Sequence, residues 1–192
     1  PLVKTYTLQE LWDLPEPADR SKLGLIKGVL YMTPPPDYPH DKISALLIRF
    51  LNREIERCGY SGEVFVSRPA LWDDDNTYLE PDLMYLSERL QDRMDPRHRT
   101  RADIVVEVIS PSHAVYDRRT QSDTYRAMGV RELWLLDPGA REIEVRSFRA
   151  RSARLYKVED VLRSKVLPKI KIPLSALFSW RTPGPPRRVS KK

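Results

Sequence analysis

The chain has 192 residues, 41% hydrophobic and 31% charged, which is enough apolar surface for one packed domain and excludes a disordered chain. Most of its formal charge of +6 sits in the last twelve residues, RTPGPPRRVSKK, with five Arg or Lys and no acid. The rest holds 28 basic against 27 acidic residues, which excludes a uniformly basic surface. No apolar run reaches the roughly 20 residues of a membrane helix, and the opening PLVKTYTLQELWDLP has no secretory-signal pattern. Cys58 is the single cysteine, so an intramolecular disulfide and a cysteine-based zinc site are excluded, and a cytoplasmic setting is the expectation. Residues 1–180 are expected to form one domain. Residues 181–192 form a basic, proline-containing tail, read equally well as a solvated end or as support for a polyanion partner.

In chain order, TLQELWDLPEP predicts a short helix, with Thr7 as N-cap, Glu10 completing a capping box, and Pro15 and Pro17 ending it. LGLIKGVLYMTPPP predicts a hairpin turning at Lys27-Gly28. In HDKISALLIRFLNREIERCG, residues Ile43, Leu46, Leu47, Phe50, Leu51 and Ile55 recur at helical spacing, predicting a long amphipathic helix closed by Gly59. Strands follow near 63–67 and 82–86, with a polar turn between them, and the Arg- and Asp-rich residues 89–101 read as a loop. IVVEVIS is a nearly continuous apolar run, expected to be a central strand covered on both faces. A helix is predicted from Tyr116 to Met128, ending at Gly129, then strands in RELWLLDP and REIEVRSFR around a Pro138-Gly139 turn. ARLYKVED and SKVLPKIKIP read as short edge strands, and LSALFSW as a short terminal helix. Strand–helix–strand over 103–136 implies a crossover and a parallel pair. The expected fold is α/β, one mixed sheet flanked by helices with extra antiparallel hairpins.

One residue breaks the apolar run at 104–109: Glu107. A buried carboxylate is expensive unless it is paired, protonated or bound to a metal. Asp82, after Pro81 at the start of another strand, lies 25 residues earlier, enough to leave one strand and return in its neighbour. Two converging carboxylates suit a hard divalent ion, Mg²⁺ or Mn²⁺, with the backbone carbonyl of Val108 completing the shell. Such an ion assists attack of water on a phosphodiester. The alternatives are an ion pair of Glu107 with a buried Arg and a turn-capping role for Asp82.

The stretches EPDL, IVVEVISPSHAVYD and YRAMGVRELWLLDP resemble the Uma-two family of restriction endonucleases, a branch of the PD-(D/E)xK nuclease superfamily, and the likeness runs from LGLIKGVLYMTPPP to SKVLPKIKIPLSALF. The resemblance implies a restriction-endonuclease-like core, a Mg²⁺-dependent DNA endonuclease, a homodimer, and metal ligation by Asp82 and Glu107. It also implies an acid on the first hairpin and a lysine on the helix after the central strand, four residues past Asp117. Here those positions are Gly24 and Gln121, and Ile109 occupies the alternative lysine position on the strand. Gln121 can hydrogen-bond a water or phosphate but cannot act as a base. Arg118 and Arg119 point away from the Gln121 face, whereas Lys22 and Lys27 lie near the missing acid and can supply charge.

Ser110-Pro111-Ser112 reads as a helix cap, and Asp117 as either a surface acid or a site residue. His40, His98 and His113 show no metal-ligand spacing, and His40 reads as a capping or packing residue. The arginines of 146–154 read as solvated surface first and phosphate contacts second. Two functions follow: a metal-dependent DNA endonuclease, or a degenerate nuclease fold that binds DNA or a protein without cutting.

Overall fold

The computed structural model describes residues 4–36, 38–109 and 115–180, with backbone alone for 115–118. The chain opens with helix α1 (Leu8–Trp12), where Thr7 accepts the Glu10 N–H and the Glu10 carboxylate accepts the Thr7 N–H at 2.8 Å, the reciprocal box expected. Strands β1 (Lys22–Ile26) and β2 (Val29–Thr33) form the first hairpin around Lys27-Gly28, both at positive φ as a tight turn requires. Helix α2 (Tyr38–Cys58) buries Ile43, Leu47, Phe50, Leu51 and Ile55 and stops at Gly59, whose φ of 66° ends the helix in the left-handed region.

Then come β3 (Gly62–Phe65), β4 (Leu71–Asp73), β5 (Thr77–Leu79), β6 (Leu83–Ser87), the one-turn helix α3 (Glu88–Gln91) and the central strand β7 (Ile104–Val108). Helix α4 (Val115–Ala127) carries the chain to β8 (Glu132–Asp137), followed by β9 (Glu142–Ser147), β10 (Ser152–Tyr156), β11 (Val161–Leu162), β12 (Ile172–Pro173) and helix α5 (Leu174–Leu177).

The main sheet has the order β10-β9-β8-β7-β6-β3. Its β7–β8 pair is parallel, as the crossover through α4 demands, and its other pairs are antiparallel. Side-chain alternation sorts the core into two layers. Ile104, Val106, Val108, Trp134, Leu136, Ile143 and Val145 pack with α2 and α5. Val105, Leu133, Leu135, Met84 and Leu86 pack with Tyr125 of α4 on the opposite face.

Three elements depart from the sequence reading. The first hairpin does not join the main sheet: it pairs with β5 to form a second antiparallel sheet, β2-β1-β5-β4, whose Ile26, Leu71 and Leu79 pack on the α4 face. The polar turn is itself a hairpin, β4–β5, with three-residue strands too short to show alternation through the run of aspartates. In SKVLPKIKIP only Ile172–Pro173 is strand; Leu167, Ile170 and Ile172 are buried, so the apolar rhythm there reports burial without a ladder. Among the described residues, no helix is long and apolar enough to cross a membrane.

Candidate active site

The chain passes from the second sheet to the main one through Glu80-Pro81-Asp82, and a pocket opens at this junction. Its walls come from β1, the Pro34–Pro36 run, the first turn of α2, the C-terminal end of β7 and one stripe of α4. Asp82, Glu107, Val108 and Gln121 all line it, so the four residues singled out in the sequence are brought together.

Asp82 precedes β6 by one residue, where the ladder to β7 has ended at Leu83 opposite Val106. Its carboxylate takes over from the backbone: Oδ2 accepts the Val108 N–H at 2.8 Å. Within a strand, the N–H and C=O of one residue face the same edge, so the Val108 carbonyl belongs to the Asp82 side of β7. Asp82 Oδ1 accepts from Lys22 Nζ at 2.7 Å, and Oδ2 lies 2.9 Å from His40 Nε2. Burial alone would raise the Asp82 pKa, but His40 and Lys22 outweigh it and hold the carboxyl at about 2.

Glu107 points to the α4 face, where Tyr125 donates its hydroxyl to Oε1 at 2.5 Å. No arginine pairs with it among the described residues. Burial first, and the negative Asp82 second, push its pKa up to about 8, against the opposing pull of Lys22 and Tyr125. The Tyr125 hydroxyl is itself held well above its ordinary value by burial and by Glu107.

Two carboxylates that resist being charged together form a site that a cation relieves. The donors present, two carboxylates and a strand carbonyl, are hard oxygens, and Mg²⁺ takes one or two carboxylates while keeping several waters. Among the described residues, no group of three or more His, Cys, Asp and Glu side chains is placed to hold a metal, so a bound ion would rely on this short oxygen set. The site therefore fits a hard, partly hydrated divalent ion better than a zinc-like one.

Gln121 sits one turn before Tyr125 on the same helical stripe and lines the pocket without a charge. Gly24 lines it from β1; a Cβ there would meet the Tyr78 carbonyl oxygen at 3.4 Å, an ordinary contact, so bulk alone does not require glycine. The side chains of Arg118 and Asp117, together with Ser110-Pro111-Ser112, His113 and the tail 181–192, lie outside the described residues. His98 does not line the pocket and stacks on Trp72, with ring centroids 5.2 Å apart.

Sequence reasoning missed His40 and Tyr125. Both carried a signal. His40 precedes Ile43 and Leu47 by three and seven residues, on the buried stripe of α2, and Tyr125 follows Gln121 by four. Lys22 was recognisable only as a nearby charge, and its ion pair with Asp82 depends on the β1–β5 pairing, Leu25 opposite Tyr78.

Comparison with known proteins bears on family and fold. A family model described as "Uma2: Putative restriction endonuclease" matches residues 8–175. A crystal structure from Anabaena variabilis, described as a "putative nuclease belonging to DUF820", superposes with a TM-score of 0.74 over 91% of this chain and 98% of that one. At 17% identity, that likeness is one of fold. No curated protein matches the chain. With a family match that spans all but the ends, the chain belongs to the Uma2 family.

Proposed function

We propose that the protein is a Mg²⁺- or Mn²⁺-dependent DNA endonuclease of the PD-(D/E)xK type that hydrolyses phosphodiester bonds, with Lys22 supplying the positive charge that Gln121 cannot. The observation that carries this reading is the convergence of Asp82, Glu107 and Lys22 in one pocket, with the Lys22 ammonium 2.7 Å from Asp82.

Asp82, Glu107 and the Val108 carbonyl would hold the ion. When bound, it would polarise a phosphoryl oxygen and lower the pKa of a water. The remaining work belongs to side chains. The Val108 N–H and His40 fix the Asp82 carboxylate, so its oxygens need not reorganise during turnover. Tyr125 orients Glu107 by its hydroxyl. Lys22 is only 18% exposed and places a charge where a scissile phosphate entering the pocket would develop its own. Gln121 can orient a water or a phosphate oxygen by its amide, without taking a proton.

The acid expected at Gly24 and the lysine expected at Gln121 are absent, and each missing group costs about 10²-fold or more in rate. Turnover is therefore expected to be slow. Those two positions favour the second reading, a degenerate nuclease fold that binds DNA or a protein without cutting. Cleavage of supercoiled plasmid with Mg²⁺ or Mn²⁺, beside Asp82→Ala and Glu107→Ala, separates the two. Nicking abolished by both substitutions and by EDTA supports the enzyme, and intact plasmid under every ion supports the binding protein. A homodimer, two sites for two strands, accompanies the first reading and is checked by sedimentation velocity.

A further inference from the structure

Helix α4 carries two adjacent stripes with different tasks. Gln121 and Tyr125 face the pocket. One position on, about 100° around the helix, Ser122 and Arg126 line a second, open groove. Its other wall is the β9–β10 hairpin. Because Ile143, Val145 and Tyr156 turn into the α2-side core, strand alternation sends Arg146 to the α4 side, and the turn brings in Arg151. Leu155, on the same side of β10, is 47% exposed, so this end of the sheet face lies open.

The groove is positively charged by arrangement rather than by composition, since the chain without its tail is almost neutral. Three guanidinium groups meet there against two carboxylates, Asp123 of the lining and Glu144, which takes up Arg146. Arg146 is fixed by a two-point interaction with Glu144, at 2.7 and 3.1 Å. Arg126 and Arg151 are exposed and make no ion pair among the described residues. Planar forks on an open trough match phosphate oxygens in a row, and a trough this polar gives an apolar partner little to bury.

We infer that the groove between α4 and the β9–β10 hairpin holds the sugar–phosphate backbone of a duplex DNA that also reaches the Asp82–Glu107 pocket. This rests on the nucleic-acid reading of that pocket, with which it shares α4. A nucleic acid fastened at Arg126 is registered against Gln121 and Tyr125 by one rigid helix.

The test is fluorescence anisotropy of a labelled duplex, in EDTA and again in Ca²⁺, over a salt series. The variants are the pair Arg126→Glu and Arg151→Asp together, and Arg154→Glu alone. Aspartate is chosen at 151 because that residue has a φ of 48°, which Asp tolerates better than Glu. Arg154 lies on the same hairpin but over the Tyr156 ring, on the opposite face, and serves as control. The double reversal is expected to weaken binding at least tenfold. It should also flatten the dependence of log K on log salt by about 0.9 for each phosphate that is no longer neutralised. Arg154→Glu is expected to stay within twofold. An unchanged affinity in the double variant, an equal weakening in the control, or no affinity in the native chain overturns the groove. Plasmid nicking that persists beside unchanged affinity leaves the endonuclease reading intact and removes the groove alone. Groove-dependent binding without cleavage in any ion keeps the groove and makes the pocket that of a binding protein.

Discussion

Lys22 opens the second sheet, Asp82 stands one residue before β6 of the main sheet, and an ion pair of 2.7 Å joins them, which ties the first hairpin to the proposed metal site. If Lys22 supplies catalytic charge, Lys22→Met keeps the two carboxylates and a titratable Mn²⁺ site but loses about 10²-fold or more in cleavage. The same substitution removes part of what holds the Asp82 pKa at about 2. A carboxyl depressed in the folded state contributes stability above its ordinary 3.8 and loses it as pH falls toward its folded value. Acid unfolding of Lys22→Met is therefore expected to begin at higher pH than in the native chain. Cleavage equal to native would show that Lys22 is only a structural counter-ion.

Glu107 has the opposite pH sign. Its folded pKa, near 8, lies above the ordinary 4.5, so the folded state keeps a proton that the unfolded state releases. Without a divalent ion, native stability should fall between pH 4.5 and 8, and Glu107→Gln, which can still accept from Tyr125, should escape that loss. Urea unfolding of both proteins at pH 5 and above pH 8 measures this. Mn²⁺ should raise the native midpoint at the higher pH and leave that of Glu107→Gln unmoved, since a neutral amide is a poor ligand. A native-to-variant difference that does not change with pH contradicts the account of Glu107.

Both acids were legible because each breaks a local rule. Glu107 interrupts a β-branched run, and Asp82 follows a proline at a strand start. The long helix, the crossover and the parallel pair were legible for the complementary reason, that their periodicity is sustained. What could not be read was register between distant segments. Lys22 reaches Asp82 through a hairpin that joins a separate sheet at a single bridge, Leu25 to Tyr78, and no local pattern encodes that pairing. His40 reads as a cap only while the helix is placed to start there; α2 begins two residues earlier, at Tyr38, which turns His40 toward Asp82.

Glu132 shows what a purely structural buried carboxylate looks like in this fold. It lies one strand away from Glu107, on the α2 side, and is fully buried. Its oxygens accept from Trp134 Nε1 at 3.1 Å, Ser164 Oγ at 2.7 Å and Lys165 N at 2.6 Å, pinning the segment after β11 to the core. It is not among the residues that line the Asp82–Glu107 pocket. Glu132→Ala leaves those donors without an acceptor and is expected to cost about 3–5 kcal/mol by urea unfolding. Mn²⁺ titration of the folded fraction should match the native chain. Loss of ion binding with only a small loss of stability would mean the two glutamates had been assigned the wrong way round.

Restoring the two missing groups should relieve the slow turnover. Gln121 already lines the pocket from the stripe that carries Tyr125, and on an α-helix it can become lysine without loss of helix propensity. Gly24 has ordinary backbone φ and room for a Cβ. Gln121→Lys is expected to raise plasmid nicking about 10²-fold, and Gly24→Glu to add to it by tightening the ion, seen as a lower Mn²⁺ concentration for half-maximal rate. The gain should vanish when either variant also carries Glu107→Ala, because the added groups act only around a bound ion. If Gln121→Lys gains nothing while Lys22→Met is inactive, one cation suffices and Lys22 already supplies it. If Gln121→Lys restores full cleavage to Lys22→Met, the two positions are interchangeable sources of the same charge, reaching one phosphate from opposite walls of the pocket.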